Sequence, residues 1–493
     1  MVREAIPNRH RASRAKRELN PQYLCSEYSL YGRVRFSIIN DMLTGFMTLR
    51  ITYRRLLTSY LAICLSVGGF AVASEAFAHD ETPAHDEIHD SHEDFTLIHA
   101  GHVMAVPGED VLEDQTIIIH DGEIVGIEAG FLEDNEATII DGREMFYLPG
   151  LIDSHVHLRG EWSPKSRWDS VTMESGDFAF QAAKHAKTTL MAGFTAVQDV
   201  GGPAEIFALK RAVNAGIVPG PHIRAAGSAV SVTGGHGDAH GFKEDILDGM
   251  HRPTICNGPD DCRRATRKAI KRGADVVKIT ATGGVLSNTN AGVGQQFFND
   301  ELDAIVEAAT KMGRKVTAHA HGKDGIDSAL KAGVKSIEHG TYLDAETARL
   351  FKKHEAVLVP TVLAGMTVKE WDFLPPNSYK KAQVIGPLMQ DMLKIAHENG
   401  VTIAFGTDTG VSKHGQNAKE FQYMVEAGMS ETDAIRAATV VASKHIEMDD
   451  MIGTLEAGKH ADIIGVDGDP RDDISELMDV DFVMKGGVVY KSE

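Results

Sequence analysis

Eight short apolar segments, separated by stretches with helical periodicity, run through the middle of this 493-residue chain. The segments lie at residues 148–156, 195–200, 222–227, 276–281, 315–320, 336–339, 357–361 and 402–407. Such alternation is typical of βαβ units in a parallel sheet. Eight units predict a (β/α)8 TIM barrel whose active site lies at the carboxyl ends of the strands. A doubly wound open sheet is the alternative, but no Gly-rich phosphate fingerprint follows the first segment.

Two groups of β-rich segments flank the predicted barrel. Residues 95–147 contain runs such as QTIIIHDGEIVGIEAG, and residues 452–493 contain GKHADIIGVDGDP and VDFVMKGGVVYK. Asp-Gly turns between β-rich runs are typical of hairpins. We therefore predict an α/β chain in which residues 148–451 form the barrel and both chain ends build one small β-sandwich domain.

The amino-terminal residues have the composition of an export signal. Residues 47–78 contain a basic segment, an apolar run and the small-residue sequence Ala-Phe-Ala, so we expect cleavage near Ala78. The product would be periplasmic or secreted without a stable membrane anchor, and an uncleaved anchor is the alternative. Residues 1–46 fit neither a domain nor a signal. Residues 79–94 are rich in His, Asp and Glu, and we expect a mobile tail that either captures metal loosely or serves as a linker.

Charge and cysteine content limit the possible functions. The formal net charge is −20, and no basic stripe follows residue 78, so a nucleic-acid partner is not expected. Cys256 and Cys262 are the two cysteines beyond that residue. In an exported protein they predict a local disulfide, with a zinc-binding pair as the alternative.

Polar side chains recur where the predicted strands end. They are His155 and His157 in DSHVH, Lys278 in VVKIT, His319 in TAHAH, His339 in IEHG and Asp408 in FGTD. His155 and His157 are two residues apart, so strand alternation points both to one face, where they can share a cation. Lys278 interrupts an apolar strand, where a buried ammonium is costly unless it is paired or neutral. This recurrence favours a metal centre.

The same residues and their surroundings resemble the amidohydrolase superfamily with a binuclear metal centre. The segments KITATGGVLS, VTAHAHGKDGIDSALKAGVKSIEHGTYLD and AFGTDTG are similar to its imidazolonepropionase-like branch, which includes Xaa-Pro dipeptidases, carboxypeptidases and ochratoxin-hydrolysing amidohydrolases. The ligands implied by the resemblance are His155, His157 and Asp408 for one metal, His319 and His339 for the other, and a carbamate on Lys278 for both. Zinc is favoured over manganese or cobalt.

Burial among valine and isoleucine would lower the pKa of Lys278 toward the neutral amine that reacts with CO2. The resemblance implies that Asp408 carries a proton from a metal-bridging hydroxide to the leaving amine. It also implies that His236, in TGGHGD, binds the substrate carbonyl and takes part in catalysis. His321 and Tyr342 are expected to line the substrate pocket, and His321 is the competing metal ligand to His319.

The function implied is hydrolysis of amide bonds in dipeptides or N-acyl amino acids, as in a carboxypeptidase or dipeptidase. Alternative substrates are an ochratoxin-type aromatic amide, a lactone or an organophosphate. The export signal disfavours imidazolonepropionate, a substrate of cytosolic histidine breakdown. A periplasmic metal-binding protein is the non-enzymatic alternative. We expect a small-molecule peptide or N-acyl amino acid as the substrate, and a homo-oligomer.

Overall fold

The computed structural model describes residues 95–250 and 252–492. The predicted extension, signal peptide and polar tail, at residues 1–94, lie outside the described residues. None of the helices within the described ranges combines the length and the hydropathy that a membrane span requires.

The described chain alternates between strands and helices over most of its length. The strands are β1 (Thr96–Val103), β2 (Leu112–His120), β3 (Glu123–Ala129), β4 (Thr138–Pro149), β5 (Leu151–Val156), β6 (Phe194–Asp199), β7 (His222–Ala225), β8 (Ser231–Val232), β9 (Ile255–Cys256), β10 (Val277–Thr280), β11 (Val316–Ala320), β12 (Ser336–His339), β13 (Val357–Val359), β14 (Thr402–Ile403), β15 (Ile463–Val466), β16 (Phe482–Lys485) and β17 (Val488–Ser492). The helices are Ser166–Thr172, Ser175–Met191, Ala204–Asn214, Glu244–Gly249, Pro259–Lys271, Asn299–Lys311, Lys323–Ala332, Ala345–His354, Val362–Lys369, Pro376–Glu398, Lys419–Glu426, Glu431–Ala437 and Val440–His445, with a 3₁₀ turn at Ile474–Met478.

Each of the eight predicted barrel segments overlaps an observed strand. Strands β5, β6 and β7 pair in parallel, and so do β10 to β14 in chain order. Val277 and Ile279 of β10 belong to the main apolar cluster. Because side chains alternate along a strand, Lys278 points to the opposite face, toward the barrel interior.

Backbone hydrogen bonds join the two parallel groups into a barrel. On one side, Ser154 N donates to Phe405 O (2.9 Å) and Asp408 N donates to His155 O (2.8 Å). On the other side, the chain after β7 pairs with β10, since Val230 N donates to Lys278 O (2.8 Å). The carboxyl ends of the strands therefore meet at one end of the barrel.

The β-rich segments of both chain ends form one mixed sheet in the order β17-β16-β15-β4-β1-β2-β3. The β1–β4 pair is parallel, and the other pairs are antiparallel. The sheet curls, because the turn between β2 and β3 is bonded to the segment before β15, with Ala461 N donating to Gly122 O (2.8 Å). Its inner faces share one apolar cluster that includes Ile117 and Phe482. The predicted fold class is confirmed.

A disulfide joins Cys256 and Cys262, as predicted, with their Cα atoms 5.0 Å apart. Both cysteines are buried, and Cys262 lies in the first turn of the helix Pro259–Lys271. The bond therefore fixes the loop between β9 and that helix, and the thiols are not available as a zinc-binding pair.

We expect the double variant Cys256→Ala/Cys262→Ala to lower the free energy of unfolding by about 2 kcal/mol, the loop-closure value for so short a loop. Urea denaturation with and without reductant measures this change. Reductant should destabilise the wild type and leave the double variant unchanged. Equal denaturation midpoints for wild type and variant without reductant would contradict the expectation.

Candidate metal centre

All six predicted metal ligands lie at the carboxyl ends of the barrel strands. The positions are His155 and His157 at the end of β5, Lys278 in β10, His319 in β11, His339 at the end of β12 and Asp408 after β14. Because these strands are parallel, their ends meet at one edge of the barrel. The structure thus gathers residues that are distant in the sequence.

The first group consists of His155, His157 and Asp408. Oδ1 of Asp408 lies 3.4 Å from Nε2 of His155 and 3.0 Å from Nε2 of His157. Nδ1 of His157 donates to the backbone carbonyl of Gly201 (3.0 Å), so the neutral ring presents an Nε2 lone pair to Asp408. Burial acts to lower the pKa of His157, but Asp408 raises it overall, which indicates that the space between them favours positive charge.

Glu338 orients this group, and the sequence analysis did not identify it. Its carboxylate accepts from Nδ1 of His155 (2.6 Å) and from the hydroxyl of Thr317. Burial acts to raise the pKa of Glu338, but His155 and Lys278 hold it low, at about 2. An ionised acceptor on Nδ1 fixes the ring so that Nε2 is free to bind a metal.

The second group consists of His319, His321 and His339, whose nearest ring nitrogens all lie within 4.8 Å of one another. Hydroxyl groups hold two of the rings: Thr361 contacts Nδ1 of His339 (2.7 Å) and Thr341 contacts Nδ1 of His321 (2.8 Å). Burial and the neighbouring positive groups place the pKa of His319 and of His339 well below the usual value. The rings are therefore neutral, the form that binds metal.

Lys278 interacts electrostatically with residues of both groups. Its exposure is 5%, and Nζ makes no hydrogen bond or ion pair with any residue in 95–250 or 252–492. Burial lowers its pKa, although the carboxylates of Glu338, Asp408 and Asp199 oppose that shift. The neutral amine is therefore favoured more at Lys278 than at a lysine on the surface.

Two of the candidate ligands have left-handed backbone conformations. The φ angles are +73° at His339 and +56° at Asp408, and Thr361, which contacts His339, has +53°. Each such conformation costs a non-glycine residue on the order of 1–3 kcal/mol, and such strain concentrates at functional sites. At His339 the left-handed conformation interrupts the alternation of side chains along the strand. Glu338 and His339 can therefore both reach the site.

The donor atoms fit a divalent cation. Nε2 of His319 and Oδ1 of Asp408 are buried without a hydrogen-bond partner in the part of the chain that the structure describes. Two acceptors, the Nε2 of His157 and a carboxylate oxygen, face each other at 3.0 Å. A cation between them satisfies both, and imidazole with carboxylate suits zinc and related metals.

The predicted pocket residues have different surroundings. The His236 ring lies 4.1 Å from that of His319, and its Nδ1 contacts the Ser287 hydroxyl (2.6 Å). Burial lowers the pKa of His236 to about 3, so the ring is neutral. His321 is buried and belongs to the second group. Tyr342 is 39% exposed, and its backbone N–H donates to the carbonyl of His321 (2.9 Å).

Known proteins are similar to this chain in sequence and in fold. Residues 146–490 match the model of the amidohydrolase family. An ochratoxinase of Aspergillus niger is 33% identical over 424 residues, covering 80% of this chain and 86% of the relative. The structure of a Xaa-Pro dipeptidase with methionine in its active site has a TM-score of 0.78 and 42% identity, covering 81% and 100% of the two chains. A prolidase complexed with N-methylphosphonate-L-proline has a TM-score of 0.74 and 30% identity, covering 81% and 100%.

We expect Glu338→Gln to weaken zinc binding by about 10–100-fold, because an amide is a weaker acceptor for Nδ1 of His155 than a carboxylate. Competition titration against a chelator measures the affinity. Glu398→Gln, at an exposed glutamate, is the matched control and should bind zinc as the wild type does. Wild-type affinity in Glu338→Gln would show that Glu338 does not orient a ligand.

Proposed function

Because the chain belongs to the amidohydrolase family and is a hydrolase of amide bonds, we propose that it binds two divalent metal ions and cleaves dipeptides or N-acyl amino acids with a free carboxylate. The observation that carries the proposal is that two clusters of metal-binding side chains share His339, one with His319 and His321 and the other with His155 and Asp408. The buried Lys278 lies in the strand that pairs with that of His319. His155 and His157 with Asp408 would hold one metal, and His319 and His339 the other. Zinc is the favoured metal.

Lys278 would bridge the metals as a carbamate. The neutral Nζ forms a bond with the carbon of CO2 and releases one proton, which leaves a carboxylate with two oxygen donors. Its burial supports this step because a protonated amine cannot react. The modification also replaces a buried amine with an anionic oxygen ligand among groups that bind cations.

The metals, when bound, polarise the substrate carbonyl and lower the pKa of water. The chain itself supplies proton transfer. Asp408 is held well below the usual carboxyl pKa by His155 and His157, against the effect of burial, so it is ionised and can accept the proton of the attacking water. As the carbon–nitrogen bond breaks, that proton passes to the leaving amine.

His236 would bind the oxygen of the scissile carbonyl. In the tautomer in which the Ser287 hydroxyl donates to Nδ1, Nε2 carries the proton and can donate to that oxygen as charge develops on it. Lys381 supports the loop that holds Ser287, since its Nζ donates to the carbonyls of Gly284 (2.6 Å) and Ser287 (2.7 Å). A side chain larger than hydrogen at Gly284 would meet the His236 ring.

The choice of a free carboxylate rests on two relatives, one with methionine bound in its active site and the other complexed with N-methylphosphonate-L-proline. An aromatic amide of the ochratoxin type is the second candidate, supported by the ochratoxinase of Aspergillus niger. Turnover of zinc-loaded protein on Xaa-Pro and other dipeptides, N-acyl amino acids and ochratoxin separates them. Cleavage of ochratoxin alone would overturn the dipeptide assignment, and cleavage of none would overturn the proposal.

We expect Lys278→Ala to reduce bound zinc and to reduce hydrolysis by more than about 100-fold, because losing a ligand costs more than the roughly 10–100-fold loss caused by removing a residue that only orients a ligand. A short carboxylic acid such as propionate should restore part of the activity by supplying the missing oxygens. Lys331→Ala, at an exposed lysine, is the matched control. Full activity and zinc content in Lys278→Ala would refute the bridging role.

His319→Ala and His321→Ala distinguish the two candidate ligands in the strand TAHAH. We expect His319→Ala to lose one of the two zinc ions of the barrel-mouth centre, because its buried Nε2 has no hydrogen-bond partner among the described residues. His321→Ala should keep both and bind substrate more weakly. Metal analysis after gel filtration decides between them, and loss of zinc in His321→Ala alone would reverse the assignment.

A further inference from the structure

A separate cluster of metal-binding side chains lies at the opposite end of the barrel strands. His222 is the first residue of β7, whereas His460 and Asp462 lie just before β15 in the sheet. One ring nitrogen of each histidine and one oxygen of Asp462 lie within 4.8 Å of one another. The two rings are 5.3 Å apart and tilted by 45°. Donors from segments separated by 240 residues thus converge on one place.

The cluster leaves buried polar atoms without hydrogen bonds. Nδ1 of His460 and Oδ2 of Asp462 have no hydrogen-bond partner within residues 95–250 and 252–492, and Asp462 is only 3% exposed. Nε2 of His222 lies 3.4 Å from Oδ1 and 3.3 Å from Oδ2, longer than the roughly 2.7–2.9 Å of a charge-assisted hydrogen bond. Thr195 Oγ1, near Asp462, is also buried without a well-formed hydrogen bond.

The backbone around these side chains is held in place on both sides. Gly150 N donates to the backbone carbonyl of Asp462 (2.9 Å), and Ala461 N donates to Gly122 O (2.8 Å). Gly486 N donates to Oδ1 of Asp462 (2.9 Å). Burial acts to raise the pKa of Asp462, but His222 and the Gly486 N–H hold it below its usual value. Oδ1 accepts the Gly486 N–H, and Oδ2 is the carboxylate oxygen left for a cation.

We propose that His222, His460 and Asp462 bind a first-row divalent cation, with zinc as the best match, at a structural site distinct from the centre in the barrel mouth. Tetrahedral zinc with ligands at about 2.0–2.2 Å keeps its donor atoms roughly 3.3 Å apart. That value agrees with the 3.3 Å between His222 Nε2 and Asp462 Oδ2. Two imidazole ligands disfavour magnesium and calcium, which prefer oxygen.

The bound cation would join the barrel to the sheet built from both chain ends. His222 belongs to a barrel strand, and the other two ligands precede β15, which pairs with β4. A cation on all three would oppose separation of these segments during unfolding. The site would affect stability and leave turnover unchanged, because it lies at the opposite end of the strands from Asp408.

The test compares wild type with His460→Gln and His222→Gln, loaded with zinc alone and freed of excess metal. Each variant should retain one zinc ion fewer per chain than wild type, show a smaller zinc-induced rise in Tm, and keep wild-type turnover. His102→Gln, at an exposed histidine of β1 in the same sheet, is the matched control and should behave as wild type. Wild-type zinc content and Tm response in both variants would overturn the proposal.

Diffraction at the zinc absorption edge tests the site without any substitution, in case both variants fail to fold. Crystals of wild-type protein in excess zinc should show an anomalous peak among His222, His460 and Asp462. Absence of that peak under saturating zinc would overturn the site, whatever metal the barrel mouth contains.

Discussion

The hydrogen bond from Asp408 N to His155 O (2.8 Å) is the contact on which the candidate centre depends. It joins the chain after the last barrel strand to the first strand, and so closes the barrel. The same pairing continues where His157 N donates to Thr409 O (2.7 Å). The backbone pairing that closes the barrel is therefore the same pairing that brings His155 and His157 to Asp408.

Electrostatic balance explains why so many ionisable groups can be buried together. Burial lowers the pKa of His319, His339 and Lys278, which reduces the positive charge that would otherwise repel within the site. The carboxylates of Glu338 and Asp408 remain ionised because histidines contact them. The rings of His319 and His339 are thus neutral and the carboxylates are anionic, the protonation states in which these groups bind a metal.

Local sequence patterns were sufficient to predict the eight strands and to identify six residues at their ends, because apolar runs and polar strand ends are local features. Glu338 could not be found in this way. It contacts His155, which is 183 residues away in the sequence. Strand alternation also predicts that Glu338 and His339 point to opposite faces, and only the left-handed backbone at His339 changes this. The cluster of His222, His460 and Asp462 was missed for the same reason, since its members meet only when the sheet packs at the base of the barrel.

The two ends of the barrel strands place opposite demands on stability. At the carboxyl end, His339 and Asp408 have left-handed backbone, and some buried polar atoms have no hydrogen-bond partner among the described residues. Both features lower the stability of the folded protein as long as no ligand is bound there. At the amino end, side chains have no substrate to admit and can be used to hold the barrel and the sheet together. A cation bound by His222, His460 and Asp462 would add stability without contacting the mouth, because the loops that form a barrel's active site lie at the carboxyl ends of the strands.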